Sequence, residues 1–183
     1  MQKPFEIRTP LTAEICANLN AGDAILLSGE IFTGRDMAHR RLYEMIGRGE
    51  TLPINLWNEI MFYAAPTPTR PGQVIGSIGP TTSYRMDAFT PRLIEGGLRG
   101  MIGKGKRSSE VIDAIKKHKA VYFGAIGGIA ALTARCVKKA VVVAYDDLGP
   151  EAIMRLEVVR LPLVVINDTR GRDLYREVLS PDD

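Results

Sequence analysis

Four times along this chain a short apolar run gives way to glycine and then to residues that suit the start of a helix. The runs are Ala24 to Ser28, Gln73 to Ile78, Leu98 to Ile102 and Ala120 to Phe123, and they are followed by Gly29, Gly79, Gly103 and Gly124. A brief apolar run bounded by glycine reads as a buried strand. Strands that alternate with helical patterns point to an α/β or α+β chain with a mixed sheet, because some of the connections look like crossovers and others like hairpins. Any function should then gather where the loops leave the strand ends.

In order, Lys3 to Thr9 reads as an extended lead and Thr12 to Leu19 as a short helix, with a turn at Ala21-Gly22-Asp23. After the first apolar strand, a helix is expected over Arg35 to Arg48. Thr33 is its expected cap and Asp36 sits near a capping-box position, with Asp36 pairing to Arg40. Glu59 to Ala64 reads as a strand. The Pro-rich stretch Ala65 to Gly72 reads as a hairpin loop before the strand-like Gln73 to Ile78. Thr90 to Gly96 looks helical. Ser108 caps an amphipathic helix whose apolar side carries Val111, Ile112 and Ile115. A further helix runs to Val137, and strands follow at Ala140 to Tyr145, Met154 to Arg160 and Leu163 to Ile166. A turn at Asn167 to Gly171 leads to a last helix, Arg172 to Leu179.

The junctions carry the chemistry. Gly79-Pro80-Thr81-Thr82-Ser83-Tyr84-Arg85-Met86-Asp87 follows a strand-like run, and Pro suits the first position of a helix. In a helix, Thr81 and Arg85 share a face four residues apart. A hydroxyl, free backbone donors and a guanidinium would converge there, a recipe for holding a carboxylate or phosphate. The plainer alternative is a set of capping hydroxyls beside a solvated Arg. A second junction places Arg35 and His39 on one helix face, and a third places Lys104 on a glycine turn. If the loops gather, Arg35, Arg85 and Lys104 supply three positive charges, with hydroxyls from Thr81 and Thr82. A small dicarboxylate suits that set, Arg gripping it with two prongs and Lys as a point charge.

Other classes fit less well. Gly100 to Lys106 matches a phosphate loop up to its lysine, but Arg107 stands where Ser or Thr would hold magnesium. A stand-alone anion- or nucleotide-binding module is therefore an alternative. The glycines of Gly124-Ala125-Ile126-Gly127-Gly128 have the wrong spacing for a dinucleotide turn. Basic and acidic residues number 24 and 21, so no basic stripe suggests nucleic acid. No apolar run approaches the ~18 residues of a membrane span, and the first residues lack a signal peptide's apolar core; a cytoplasmic, single-domain protein is expected over 1–183. Cys16 and Cys136 look like small core residues, and with His39 and His118 they offer no metal-ligand spacing. No metal bound by this chain is expected.

Taken together and in order, Ser28 to His39, Gly79 to Asp87, Gly103-Lys104-Gly105 and Gly124 to Gly128 resemble the β subunit of class I iron–sulfur fumarate hydratase, or the matching C-terminal region of the single-chain enzymes. The β subunit of L(+)-tartrate dehydratase is similar. The resemblance covers about Leu11 to Leu179. It implies a swivelling β/β/α three-layer domain and reversible hydration of fumarate to L-malate. It also implies a four-iron four-sulfur (4Fe-4S) cluster on a separate α subunit, in a hetero-oligomer expected to be α2β2. One iron of that cluster, open to substrate, would act as Lewis acid on the leaving hydroxyl. Carried over position by position, Arg35, Arg85 and Lys104 would grip the substrate carboxylates. Thr81, with Arg85, would be catalytic, the threonine as candidate base. Thr82 would assist in binding, and Asp36, His39 and Asp87 would support the site.

Overall fold

Side chains alternate across the strands at the centre of the chain, and both faces are apolar. Ile60, Phe62, Ile102, Val121 and Phe123 enter one buried cluster, while Met61, Tyr63, Met101 and Tyr122 enter another. Strands that bury both faces must lie between two layers. The computed structural model, which describes residues 3–125 and 130–179, shows that arrangement. Strands β1 (Phe5–Arg8), β2 (Ala24–Thr33), β3 (Ile60–Phe62), β4 (Gly100–Gly103) and β5 (Val121–Ala125) run parallel, each beside the next. Helices α2 (Asp36–Gly47), α3 (Thr90–Glu95) and α4 (Ser109–His118) fill the crossovers from β2 to β5. Each crossover steps to the adjacent strand in the same direction, so one handedness puts all three helices on one face. Ala38, Leu42, Leu93, Ile94, Val111 and Ile115 bury that face.

The third layer is antiparallel. Strand β6 (Val137–Ala144) pairs with β7 (Ile153–Asn167), which then pairs with both β2 and β5. Since β7 joins β5 back to β2, the strands β2, β3, β4, β5 and β7 close on themselves. Leu27, Ile31, Leu156, Val158, Leu163 and Val165 fill the interior. Helix α1 (Ala13–Ala17), capped by Thr12, adds the buried Cys16; α5 (Ala130–Cys136) leads into β6, and α6 (Leu174–Leu179) is the last described helix. The expected mixed-sheet α/β class is what the chain adopts, with helix, parallel-strand and antiparallel-strand layers.

Several local expectations need correction. Met154 to Arg160 and Leu163 to Ile166 are one strand rather than two. The bend falls where Arg160 takes a positive φ of 52° opposite the irregularity at Leu27/Gly29, and Arg160 N–H donates to Ser28 Oγ at 3.0 Å. A bulge of this kind lets one strand turn from β6 toward β5 without ending. Gln73 to Ile78 is not a strand; the excursion closes on itself through Thr67 N–H to the Ser77 carbonyl. The helix expected after Gly79-Pro80 is a single 3-10 turn, Ser83–Met86, so Thr81 lies outside it and the four-residue spacing to Arg85 does not define a shared helical face. Cys136 is half-buried rather than a core residue, whereas burial pushes the Cys16 thiol up to about 12. The glycine turn from Gly124 to Gly128 lies largely outside the described residues.

Candidate functional site

Parallel strands deliver their C-terminal ends to the same sheet edge, and β2 to β4 each place one singled-out segment there. Arg35 and Asp36 follow β2. The segment 80–87 is laid against the end of β3 by Thr81 N–H donating to the Tyr63 carbonyl at 2.7 Å and by the bridge between Ala64 and Pro80. Lys104 follows β4 and bridges to Thr82, while Ser83 N–H donates to the Lys104 carbonyl at 2.9 Å. The loops are joined in sequence across the edge. Arg85 forms an ion pair with Asp36, linking the second loop to the first. The backbone of Thr82 and Ser83 links the second to the third.

The start of α2 is not capped by a side chain among the described residues. Thr33, the expected cap of α2, instead donates to the Ala152 carbonyl at 3.4 Å and accepts Met154 N–H at 3.0 Å, pinning β2 to the antiparallel layer. Arg35 occupies the cap position in extended conformation, without a side-chain bond. Asp36 pairs with Arg85 rather than Arg40. Among the described residues no side chain accepts from the first amides of α2, a start suited to an anion. Arg35 reaches Glu151 at 3.5 Å, with the two side chains 25% and 28% exposed. Arg35 Nε and Asp36 Oδ1 are buried and have no hydrogen-bond partner among the described residues.

His39 is fully buried beneath this start. Its Nδ1 lies 2.9 Å from the Arg35 carbonyl, so Nδ1 carries the donated hydrogen and Nε2 holds a lone pair with no partner among the described residues. Its ring meets Tyr63 edge-on at 5.0 Å. Burial, foremost, lowers its pKa from 6.5 to about 4, so it stays neutral at ordinary pH.

Asp87 lies beside Arg107, a residue the sequence marks only as a departure from a phosphate loop. The Arg107 side chain is 0% exposed and donates from Nε to Asp87 Oδ1 at 2.7 Å and from Nη2 to Thr90 Oγ1 at 3.0 Å. It lies over the rings of Tyr63 at 5.2 Å and Tyr122 at 4.8 Å. Asp87 Oδ2 accepts Ser108 N–H at 2.7 Å, just ahead of α4. Beside it, Lys104 N–H donates to Ser83 Oγ, Ser83 Oγ meets Tyr122 Oη at 2.9 Å, and Tyr122 donates on to the Gly105 carbonyl at 2.9 Å. Burial pushes the Tyr122 hydroxyl up, which keeps it a donor. Gly100 to Gly103 are strand, fully buried, so the near-match to a phosphate loop lacks the loop itself. Tyr63 and Tyr122 had one legible signal: strand alternation puts both on the helix-facing side.

Among the described residues, no group of three or more His, Cys, Asp or Glu could hold a metal ion, and no helix is long and apolar enough to cross a membrane. At the sheet edge, guanidinium, ammonium and hydroxyl groups stand on adjoining loops. Such a set can bind a small dianion and stabilise negative charge on an oxygen.

Comparison with known proteins gives the same direction. The family model described as Fumarase C-terminus matches residues 2–178. The aerobic class I fumarate hydratase of Salmonella typhimurium is 42% identical over 84% of this chain and 27% of its own length. The Escherichia coli K12 aerobic class I enzyme is 40% identical over 90% of this chain and 31% of its own. This chain thus spans less than a third of the length of those relatives. A putative L(+)-tartrate dehydratase subunit beta of Methanocaldococcus jannaschii is 38% identical over 92% of this chain and 89% of its own length. Matched along nearly all its length and carrying the junction residues on one sheet edge, the chain belongs to the fumarase C-terminal domain family.

Proposed function

We propose that this chain is the substrate-gripping β component of a hydro-lyase that reversibly hydrates fumarate to L-malate, acting with an α component that bears an iron–sulfur cluster. The observation that carries this reading is the succession of Arg35, Thr81 to Arg85 and Lys104 on loops that follow adjacent parallel strands. A four-carbon diacid needs a cation at each end. Arg35 and Arg85 would each take a carboxylate in a two-pronged grip, with Lys104 as a third charge. Both arginines now hold internal carboxylates, Glu151 and Asp36, which substrate carboxylates would displace. Thr81 would exchange the proton at the reacting carbon, as base in the malate-to-fumarate direction. A threonine hydroxyl is a weak base in water. Closed off from solvent and flanked by cations, it would hold an alkoxide-like charge that water cannot stabilise. Thr82 would bond the same carboxylate, and His39, neutral and buried, would support the start of α2 from below.

The described residues of this chain do not fit a cluster: Cys16 lies in the core, and Cys136 stands on the half-buried end of a different element. The electrophile therefore belongs to the partner in this reading. A second reading, L(+)-tartrate dehydratase, is favoured by the near end-to-end match with the Methanocaldococcus jannaschii subunit. Anaerobic reconstitution with a cluster-bearing α component, followed by turnover of fumarate and of L(+)-tartrate, separates the two. Fumarate hydration well above tartrate dehydration supports the first, the reverse order supports the second, and turnover of neither overturns both.

A further inference from the structure

We propose that Arg107 is a positioning residue of this site, the buried pivot that holds the Thr81–Arg85 loop and the Lys104 loop in register. The inference rests on the hydro-lyase reading for its kinetic test and on geometry alone for its structural one. Arg107 follows Lys104 by three residues, and its partner Asp87 follows Arg85 by two. The Arg107–Asp87 pair at 2.7 Å therefore joins the two loops directly behind their exposed cationic tips. The other carboxylate oxygen of Asp87 takes Ser108 N–H, which ties the same point to the start of α4. Thr90 Oγ1 takes Arg107 Nη2 at 3.0 Å and donates to the Met86 carbonyl at 2.9 Å, so the end of the 3-10 turn is tied from a second side. Tyr63 and Tyr122, reaching from β3 and β5, enclose the guanidinium.

A buried ion pair is a weak source of stability, since its desolvation cost offsets much of the attraction and an apolar replacement is often as stable. Its planar fork does something an apolar group cannot: it sets the distance and angle between two backbone segments. Stability alone does not require arginine at this point, whereas register between the loops does.

The test uses three proteins: the wild-type chain, the uncharged double variant Arg107→Met/Asp87→Asn, and Arg107→Lys, which keeps charge but loses the fork. Hydrogen exchange of each isolated chain is read over 79–87 and 103–108. The expected result is faster exchange in both segments in each variant, with β3 and β5 unchanged and melting within about 5 °C of wild type. In the reconstituted complex, fumarate turnover should fall mainly in kcat, since the loop charges remain. A misplacement near 1 Å costs on the order of 100-fold, and Arg107→Lys should lie between that and wild type. Unchanged exchange in the two loops, or kcat within twofold of wild type in either variant, overturns the proposal. If wild-type complex fails to turn over fumarate, the hydro-lyase reading falls, and the exchange result still decides the pivot.

Discussion

A single methyl group at position 103 should show how tightly the loops are built. A Cβ on Gly103 would overlap Ser83 Oγ and stand 3.1 Å from Tyr63 Cδ2 and 3.3 Å from Ser83 Cβ. Ser83 is fully buried, and its hydroxyl holds Lys104 N–H at 3.1 Å and Tyr122 Oη at 2.9 Å. It cannot rotate away without breaking both bonds, at about 1 kcal/mol each. Overpacking adds about 1–3 kcal/mol, so Gly103→Ala should cost about 3–5 kcal/mol. Ser83→Ala alone should cost about 1–3 kcal/mol, because the Lys104 amide loses its acceptor. In the double variant the overlapped oxygen is gone and only the tight carbon contacts remain. The same hydrogen bonds are lost once rather than twice, so the double should cost about 2 kcal/mol less than the two singles together. Urea unfolding of the four proteins measures the cycle. Costs that add within about 0.5 kcal/mol would refute the claim that Gly103 and Ser83 share one contact.

Other outcomes follow from single positions. His39 titrates near 4 when folded and 6.5 ordinarily, so the unfolded chain binds the extra proton between those values. Its contribution is whole above pH 6.5 and is lost as pH falls toward 4, by about 3 kcal/mol. His39→Asn should therefore lose that much less stability than wild type between pH 7 and 4, as measured by urea melts at each pH. Gly29→Ala places a side chain at φ +116° against Thr9 Oγ1 and 3.2 Å from Thr9 N. It should cost about 2–4 kcal/mol, read as a lower thermal midpoint, because backbone as well as side chain must shift.

Part of the frame was legible because β4 and β5 are short, buried on both faces and carry glycine near their ends, whereas the strand read as Ala24 to Ser28 runs on through Gly29 to Thr33. The helix over Ser109–His118 was legible too, with Ser108 at its cap and Val111, Ile112 and Ile115 buried. What escaped is tertiary. Gln73 to Ile78 has a strand's composition, but no ladder forms there and the segment closes as a loop on Thr67. Thr33 has a cap's position but spends its hydroxyl on the antiparallel layer, a bond across more than a hundred residues. Arg107 reads in the sequence only as a departure from a phosphate loop, and only the fold brings Asp87, Tyr63 and Tyr122 around it. For the candidate site, residue types at the junctions were visible, whereas the ion pairs Arg85–Asp36 and Arg35–Glu151 join segments that no local pattern connects.

The central claim is that the guanidiniums at this sheet edge hold the ends of a diacid, and one kinetic comparison addresses it. The chain and its Arg85→Ala variant are each reconstituted anaerobically with a cluster-bearing α component, and kcat/KM for fumarate hydration is measured. Loss of a charged contact to the transition state should cost at least ~2 kcal/mol, a fall of about 30-fold or more. A variant within twofold of an active wild-type complex would contradict the claim.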